Sequence, residues 1–151
     1  MNTLYDITTK LRDELQSNAL INKVTFGDIT EIDLNKQTIF PLAHIMLENS
    51  TITSNTIVVG LSIMLMDIVD ESKDEETDEF TGNDNEHDVL NSMLAAGTKT
   101  VQEFIRGSSY SDNYHAENEA GVEFFTDRFE NKLAGVVINF SIEIPNISTL
   151  C

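Results

Sequence analysis

Three features of the sequence predict an α+β domain: an antiparallel sheet of about four strands flanked by two helices, with a long protruding hairpin. Residues 3–16 and 86–106 repeat apolar side chains at helical spacing. Residues 38–46, 56–69 and 136–144 are β-branched and apolar, alternating or continuous, as strands are. The order helix, strands, hairpin, helix, strands is that of an α+β chain rather than of repeated βαβ units. At 151 residues the chain is the size of one typical domain, so residues 1–151 are expected to share one core.

The first helix carries Leu4, Ile7, Leu11 and Leu15 on one stripe, with Thr3 and Asp6 placed as a capping box. In "KVTFGDITEIDL", Val24 and Phe26 predict a short strand that Gly27-Asp28 ends, followed by an irregular acidic stretch. "TIFPLAHIM" from Thr38 to Met46 is the next strand. Its Pro41 cannot donate to a ladder and implies an edge, a bulge or a strand start. The polar "ENSTITSN" predicts the hairpin turn.

From Thr56 to Val69 both alternating faces are apolar, Ile57, Val59, Leu61, Ile63 and Leu65 on one and Val58, Met64, Met66 and Ile68 on the other. Such a strand is covered on both sides. At about 3.3 Å per residue it would extend about 45 Å, so a bend near Gly60 or an extension beyond the body is expected. The second helix places Leu90, Met93, Leu94, Gly97, Val101, Phe104 and Ile105 on one stripe, with Asn85 as N-cap, Glu86 and Asp88 complementing the dipole, and Arg106-Gly107 as its end. Finally, Val136, Ile138, Phe140, Ile142 and Ile144 alternate with Val137, Asn139, Ser141 and Glu143, a strand with one buried and one wet face that Pro145 stops.

Nine basic against twenty-six acidic residues give a formal charge of −17. Binding to free nucleic acid is driven by clustered lysine and arginine, which this chain lacks. A lone cysteine, Cys151, forms no disulfide within the chain and fits a reducing compartment. The N-terminal stretch lacks the basic-then-apolar order of a signal peptide. "TIVVGLSIMLM" falls short of the roughly 20 apolar residues a membrane-spanning helix needs.

Catalytic and metal chemistry find little to stand on. His44, His87 and His115 fall in a strand, a helix start and a loop, with no serine or cysteine motif beside them. There is no glycine-rich phosphate loop, no Cys/His zinc spacing and no HExxH. No catalytic residue, cofactor or metal ligand set is therefore expected.

The run "DESKDEETDEFTGNDNEHD" holds ten carboxylates between residues 70 and 88. Oxygen ligands suit calcium, but Gly82 is preceded by Thr81, Phe80 and Glu79 rather than by alternating ligands. Mutual repulsion turns most of these carboxylates toward water. The first half reads as a solvated loop at the tip of the long hairpin, and the second as a turn and helix cap. Met64, Met66 and Met93 suit core filling more than an interaction surface. Tyr110 and Tyr114 in a polar loop fit an interface anchor or a packing cluster equally well. Arg128 can pair with Asp127 or Glu130 at a subunit contact or stay exposed.

Four blocks in order, "FGDITEIDLNKQTIFPLAHIMLEN", "MDIVDESKDEET", "GNDNEHDVLN" and "FTDRFENKLAGVVINFSIEIPN", resemble a small structural protein of the neck and tail of crAss-like and related Bacteroidetes phages. The element order also resembles that of tail-terminator and tail-completion proteins, by analogy of fold. The resemblance implies a non-enzymatic virion protein, assembled in the bacterial host cytoplasm as a ring of six or twelve copies between the portal-side connector and the tail. Its partners would be further copies and the adjoining connector and tail rings, with DNA passing through unbound and no membrane involved. On this reading Asp70, Glu71, Asp74, Glu75, Glu76, Asp78 and Glu79 would face a neighbouring subunit or the channel, and Tyr110, Tyr114 and Arg128 would lie between subunits. The competing reading is a small acidic adaptor that recruits a basic protein partner.

Overall fold

The computed structural model describes residues 4–29, 37–70, 85–109, 114–117, 119–128 and 132–145. Helix α1 (Leu4–Gln16) leads into a four-residue strand β1 (Lys23–Phe26). A 3-10 turn (Gln37–Ile39) and a cis Phe40-Pro41 bond precede β2 (Leu42–Ile52), which forms a hairpin with β3 (Thr56–Ile68). Helix α2 (Glu86–Ser109), β4 (His115–Ala116), β5 (Gly121–Arg128) and β6 (Leu133–Pro145) complete the chain.

The α+β class and both helices match expectation, while the sheet is larger and mixed. Six strands run β1-β2-β3-β6, with β4 and β5 both pairing to the outer side of β6. All pairs are antiparallel except β1 with β2. The parallel pair arises because the chain leaves β1 and returns through residues 28–41 to start β2 alongside it in the same direction.

Sequence alternation sorts the sheet into two faces, since side chains directly opposite across a ladder point the same way. Ala43, Ile45, Leu61, Ile63, Leu65, Val136, Ile138 and Phe140 form one face, covered by Ile7, Leu11 and Leu15 of α1 and by Val89, Met93, Ala96, Val101 and Phe104 of α2. Leu42, Met64, Met66 and Leu133 on the reverse face meet Ile39, Phe40 and Phe125 in a smaller cluster. That second cluster explains the two-sided apolarity of β3 between Leu61 and Met66, and all three methionines named above are core. Beyond it the reverse face is wet, with Asn139 exposed and Ser141 and Glu143 half-buried.

Four expectations are corrected. The turn falls inside "ENSTITSN" but takes only its last three residues, Thr53–Asn55, where the Thr53 hydroxyl donates to the Thr56 carbonyl at 3.0 Å; Glu48–Ile52 extend β2 instead. The extra length fits because Glu48 and Asn49 together oppose Gly60 in a bulge, between the Leu47–Leu61 and Ser50–Val59 pairs. A Cβ at residue 60 would come within 2.7 Å of the Asn49 carbonyl oxygen, so the bend expected at Gly60 is a bulge pressing on it.

Nor is the hairpin a free arm. β6 pairs with β3 from Ile68–Leu133 to Thr56–Pro145, so a third strand accompanies it to its end. The acidic run also leaves from the opposite end of β3, not from the hairpin tip, and joins β3 to α2. Finally, α2 does not stop at Arg106-Gly107: it continues to Ser109, and Gly107 lies where a Cβ would crowd the Tyr114 hydroxyl at 2.7 Å. This glycine admits a neighbour instead of ending a helix.

Candidate assembly interface

The sheet is open, and its two edges differ. At one edge, Lys23 donates its N–H to the Pro41 carbonyl at 3.3 Å and Gly27 donates to the Ile45 carbonyl at 3.1 Å. In a parallel ladder the residue between two inward-bonded ones turns both backbone groups outward. Val24 and Phe26 therefore present their N–H and C=O groups to the open side, where no strand pairs with them among the described residues.

β1 is short but well anchored. His44 of β2 is fully buried and bridges to it on the reverse face, its Nε2 2.7 Å from the Gly27 carbonyl and its Nδ1 2.7 Å from the Thr25 hydroxyl. A carbonyl only accepts, so Nε2 carries the proton and Nδ1 accepts from Thr25 in the neutral ring. Burial lowers the His44 pKa, partly opposed by the Gly27 carbonyl and the Asp28 carboxylate.

On the helix face this edge is cut by a groove of about 290 Å³ between α1 and β1, lined by Tyr5, Thr8, Arg12, Val24, Phe26 and Ile45. Tyr5 is 78% exposed and Phe26 54%. Both rings stand beside the groove with much of their apolar surface in water. The reverse face of the same edge carries the exposed Lys23, opposite Leu42.

At the other edge, β5 pairs with β6 through Val122–Ile138, Glu123–Val137 and Phe124–Val136. Val122 and Phe124 thus lie on the helix face and Glu123 on the reverse face. α2 packs on β3, β6 and β4 and leaves both β5 side chains open, Phe124 to 56%. Glu117 and Glu119, also exposed, precede them on the same edge.

The sequence pointed to other residues. Asp70 is exposed, and its backbone closes the neck of the acidic segment: its N–H donates to Asn85 Oδ1 at 2.7 Å, and its carbonyl accepts from the Asn85 N–H at 3.2 Å. Asn85 stands at the predicted cap position, its carbonyl accepting the first helical bond from Val89. Glu71, Asp74, Glu75, Glu76, Asp78, Glu79 and Tyr110 lie outside the described residues. So does the side chain of Arg128, whose backbone ends β5 opposite Leu133.

Tyr114 is 5% exposed and fills the packing role of the two open to it. Its hydroxyl donates to the Phe104 carbonyl at 3.1 Å, its ring lies 5.0 Å from that of Phe104, and Lys10 Nζ sits 4.9 Å above it. The strand pattern of Val24 and Phe26 is visible in the sequence, and β5 is not among the strands it predicts. What it cannot show is that, among the described residues, these strands have no neighbour on one side.

Among the described residues no group of three or more His, Cys, Asp and Glu side chains could hold a metal ion, and no helix is long and apolar enough to cross a membrane. His87 and His115 are exposed, and His44 is occupied by Thr25 and Gly27. No protein-family model matches the chain, and no curated protein is significantly similar to it.

Proposed function

We propose that this is a non-enzymatic structural protein that assembles as a ring around the DNA channel in the neck or tail of a phage virion, joining the head-side connector to the tail. One structural observation supports it above the others: an open sheet with two unlike edges, both bearing exposed apolar side chains on the same face. Unlike edges are what a head-to-tail contact uses, and such a contact closes into a ring when its rotation allows. The resemblance of four sequence blocks to phage neck and tail proteins supplies the setting.

The charge of −17 suits that setting, since a negative lining repels phosphate and lets DNA slide without sticking. Replacing Asp74, Glu75, Glu76, Asp78 and Glu79 by their amides in the phage is expected to slow genome ejection. Unchanged ejection would remove the acidic segment from the channel.

The ring itself is tested by solution mass measurement and negative-stain microscopy of the full chain. Annular particles of six or twelve copies are expected. A stable monomer at the highest soluble concentration, together with capture of a basic protein partner by the acidic segment, would favour the adaptor reading instead.

A further inference from the structure

We infer that successive copies join by pairing strand β5 of one with strand β1 of the next, so that a single sheet continues from subunit to subunit with all helices on one side. The inference rests on the ring reading and names the surface that would build it.

The two edges alternate in the same way. On the helix face β1 offers Val24 and Phe26 and β5 offers Val122 and Phe124; on the reverse face β1 offers Lys23 and β5 offers Glu123. With both apolar pairs opposed on the helix face, Glu123 comes opposite Thr25 on the reverse face and Lys23 stands one diagonal step from it, within reach of a long side chain. The groove of about 290 Å³ beside β1 is lined by Tyr5, Val24 and Phe26, and it lies on the face from which Phe124 of the next copy would enter. The outward backbone groups of Val24 and Phe26 would acquire the partners they lack among the described residues.

Charge selects this arrangement over its symmetric alternative. Pairing β5 with β5 about a two-fold axis would bring Glu117, Glu119 and Glu123 of both copies to one seam, acid on acid. The outer half of β2, also open, carries the exposed Glu48, an acid rather than a cation. The β1 edge presents cations to Glu123, Lys23 on one face and Arg12 in the groove on the other. A lysine on an edge strand otherwise serves to keep copies apart. The experiment separates these two uses.

Three variants of the full chain decide it: Lys23→Glu, Glu123→Lys, and the two combined. Both residues are exposed, so each variant should keep the wild-type circular dichroism and unfolding midpoint. Assembly is measured by sedimentation velocity across a concentration series. Each single reversal is expected to weaken assembly about tenfold or more, and the double variant to return close to wild type.

A net-charge effect alone predicts otherwise. Lys23→Glu adds two negative charges and Glu123→Lys removes two, so it would move the single variants in opposite directions. Rings that form equally well in both single variants overturn the edge pairing while leaving the ring standing. A wild-type chain that stays monomeric throughout overturns both. A Glu123→Lys chain that associates more tightly than wild type while Lys23→Glu leaves association unchanged points to β5 meeting β5, and overturns the inference in favour of a two-fold dimer.

Discussion

His44 and Asp67 are the two described titratable side chains that burial displaces most clearly, and they pull stability in opposite ways with pH. The buried His44 ring has its pKa lowered, so the native state binds fewer protons than the unfolded chain across that interval. Its stabilising contribution is complete above the ordinary histidine value and is lost as pH falls from there through the lowered one. His44→Ala should abolish this acid-side slope in chemical denaturation. It should also cost about 2–4 kcal/mol at neutral pH, because Thr25 and the Gly27 carbonyl lose their buried partner and a cavity remains. Asp67 is half-buried at the end of β3, its Oδ1 accepting the Ile68 N–H at 2.8 Å, and desolvation raises its pKa, with Asp70 adding to the shift. The native state here binds more protons, so the ionised group penalises folding above the raised pKa and the penalty vanishes below the ordinary aspartate value. Asp67→Asn, which keeps the accepting oxygen, should raise the melting temperature at neutral pH, with the gain fading as the solution is acidified. A gain that persists in acid would assign the effect to something other than ionisation.

Strands and helices were legible in the sequence wherever periodicity alone decides, as in α1, β3 and β6, and illegible wherever a neighbour decides. "ENSTI" reads as turn chemistry, yet it extends β2 because Gly60 on the facing strand leaves space for a two-residue bulge. Arg106-Gly107 reads as a helix end, yet Tyr114 needs that glycine inside the helix. Two further glycines test how far such neighbours control an element. At Gly135 of β6 a Cβ would overlap the Leu65 carbonyl and approach Met66 Cα within 2.9 Å, and backbone cannot swing aside. Gly135→Ala should therefore separate β6 from β3 and cost about 3 kcal/mol. At Gly97 of α2 the overlap is with the terminal methyl of Ile138, which can rotate away, while Leu65 lies at 3.3 Å. Alanine also gains about 1 kcal/mol in a helix, so Gly97→Ala should stay within about 1 kcal/mol of wild type. Urea denaturation of the pair distinguishes backbone from side-chain obstruction. Equal losses would mean that α2 is held as rigidly as the sheet.

For the molecule as a whole, the sequence displayed its charge and its apolar strands but not which strands would be left at the edges, because edge position is a property of the completed sheet. Tyr110, Tyr114 and Arg128 drew notice as the kinds of residue that interfaces favour, and Tyr114 turned inward to cap the Phe104 end of the core. Phe26 reads from the sequence only as a strand residue, and the stretch around Phe124 carries no predicted element. Their exposure acquires meaning beside a charge of −17, which opposes any contact between copies. On the proposed edge pairing, assembly would be a contest between a local seam, apolar on one face and oppositely charged on the other, and a diffuse repulsion spread over the rest of the surface. Salt acts unequally on the two. Raising ionic strength from about 0.1 M to about 1 M shortens the screening length from about 10 Å to about 3 Å, which suppresses the diffuse repulsion far more than contacts within a desolvated seam. Association of the wild-type chain should therefore strengthen with salt, opposite to the weakening expected where attraction between charged patches dominates. The doubly reversed Lys23→Glu, Glu123→Lys chain has the same net charge and should show the same salt dependence. Sedimentation velocity at several salt concentrations measures both slopes; weakening with salt in the wild type would show that attraction between charged patches, rather than the apolar seam, holds the copies together.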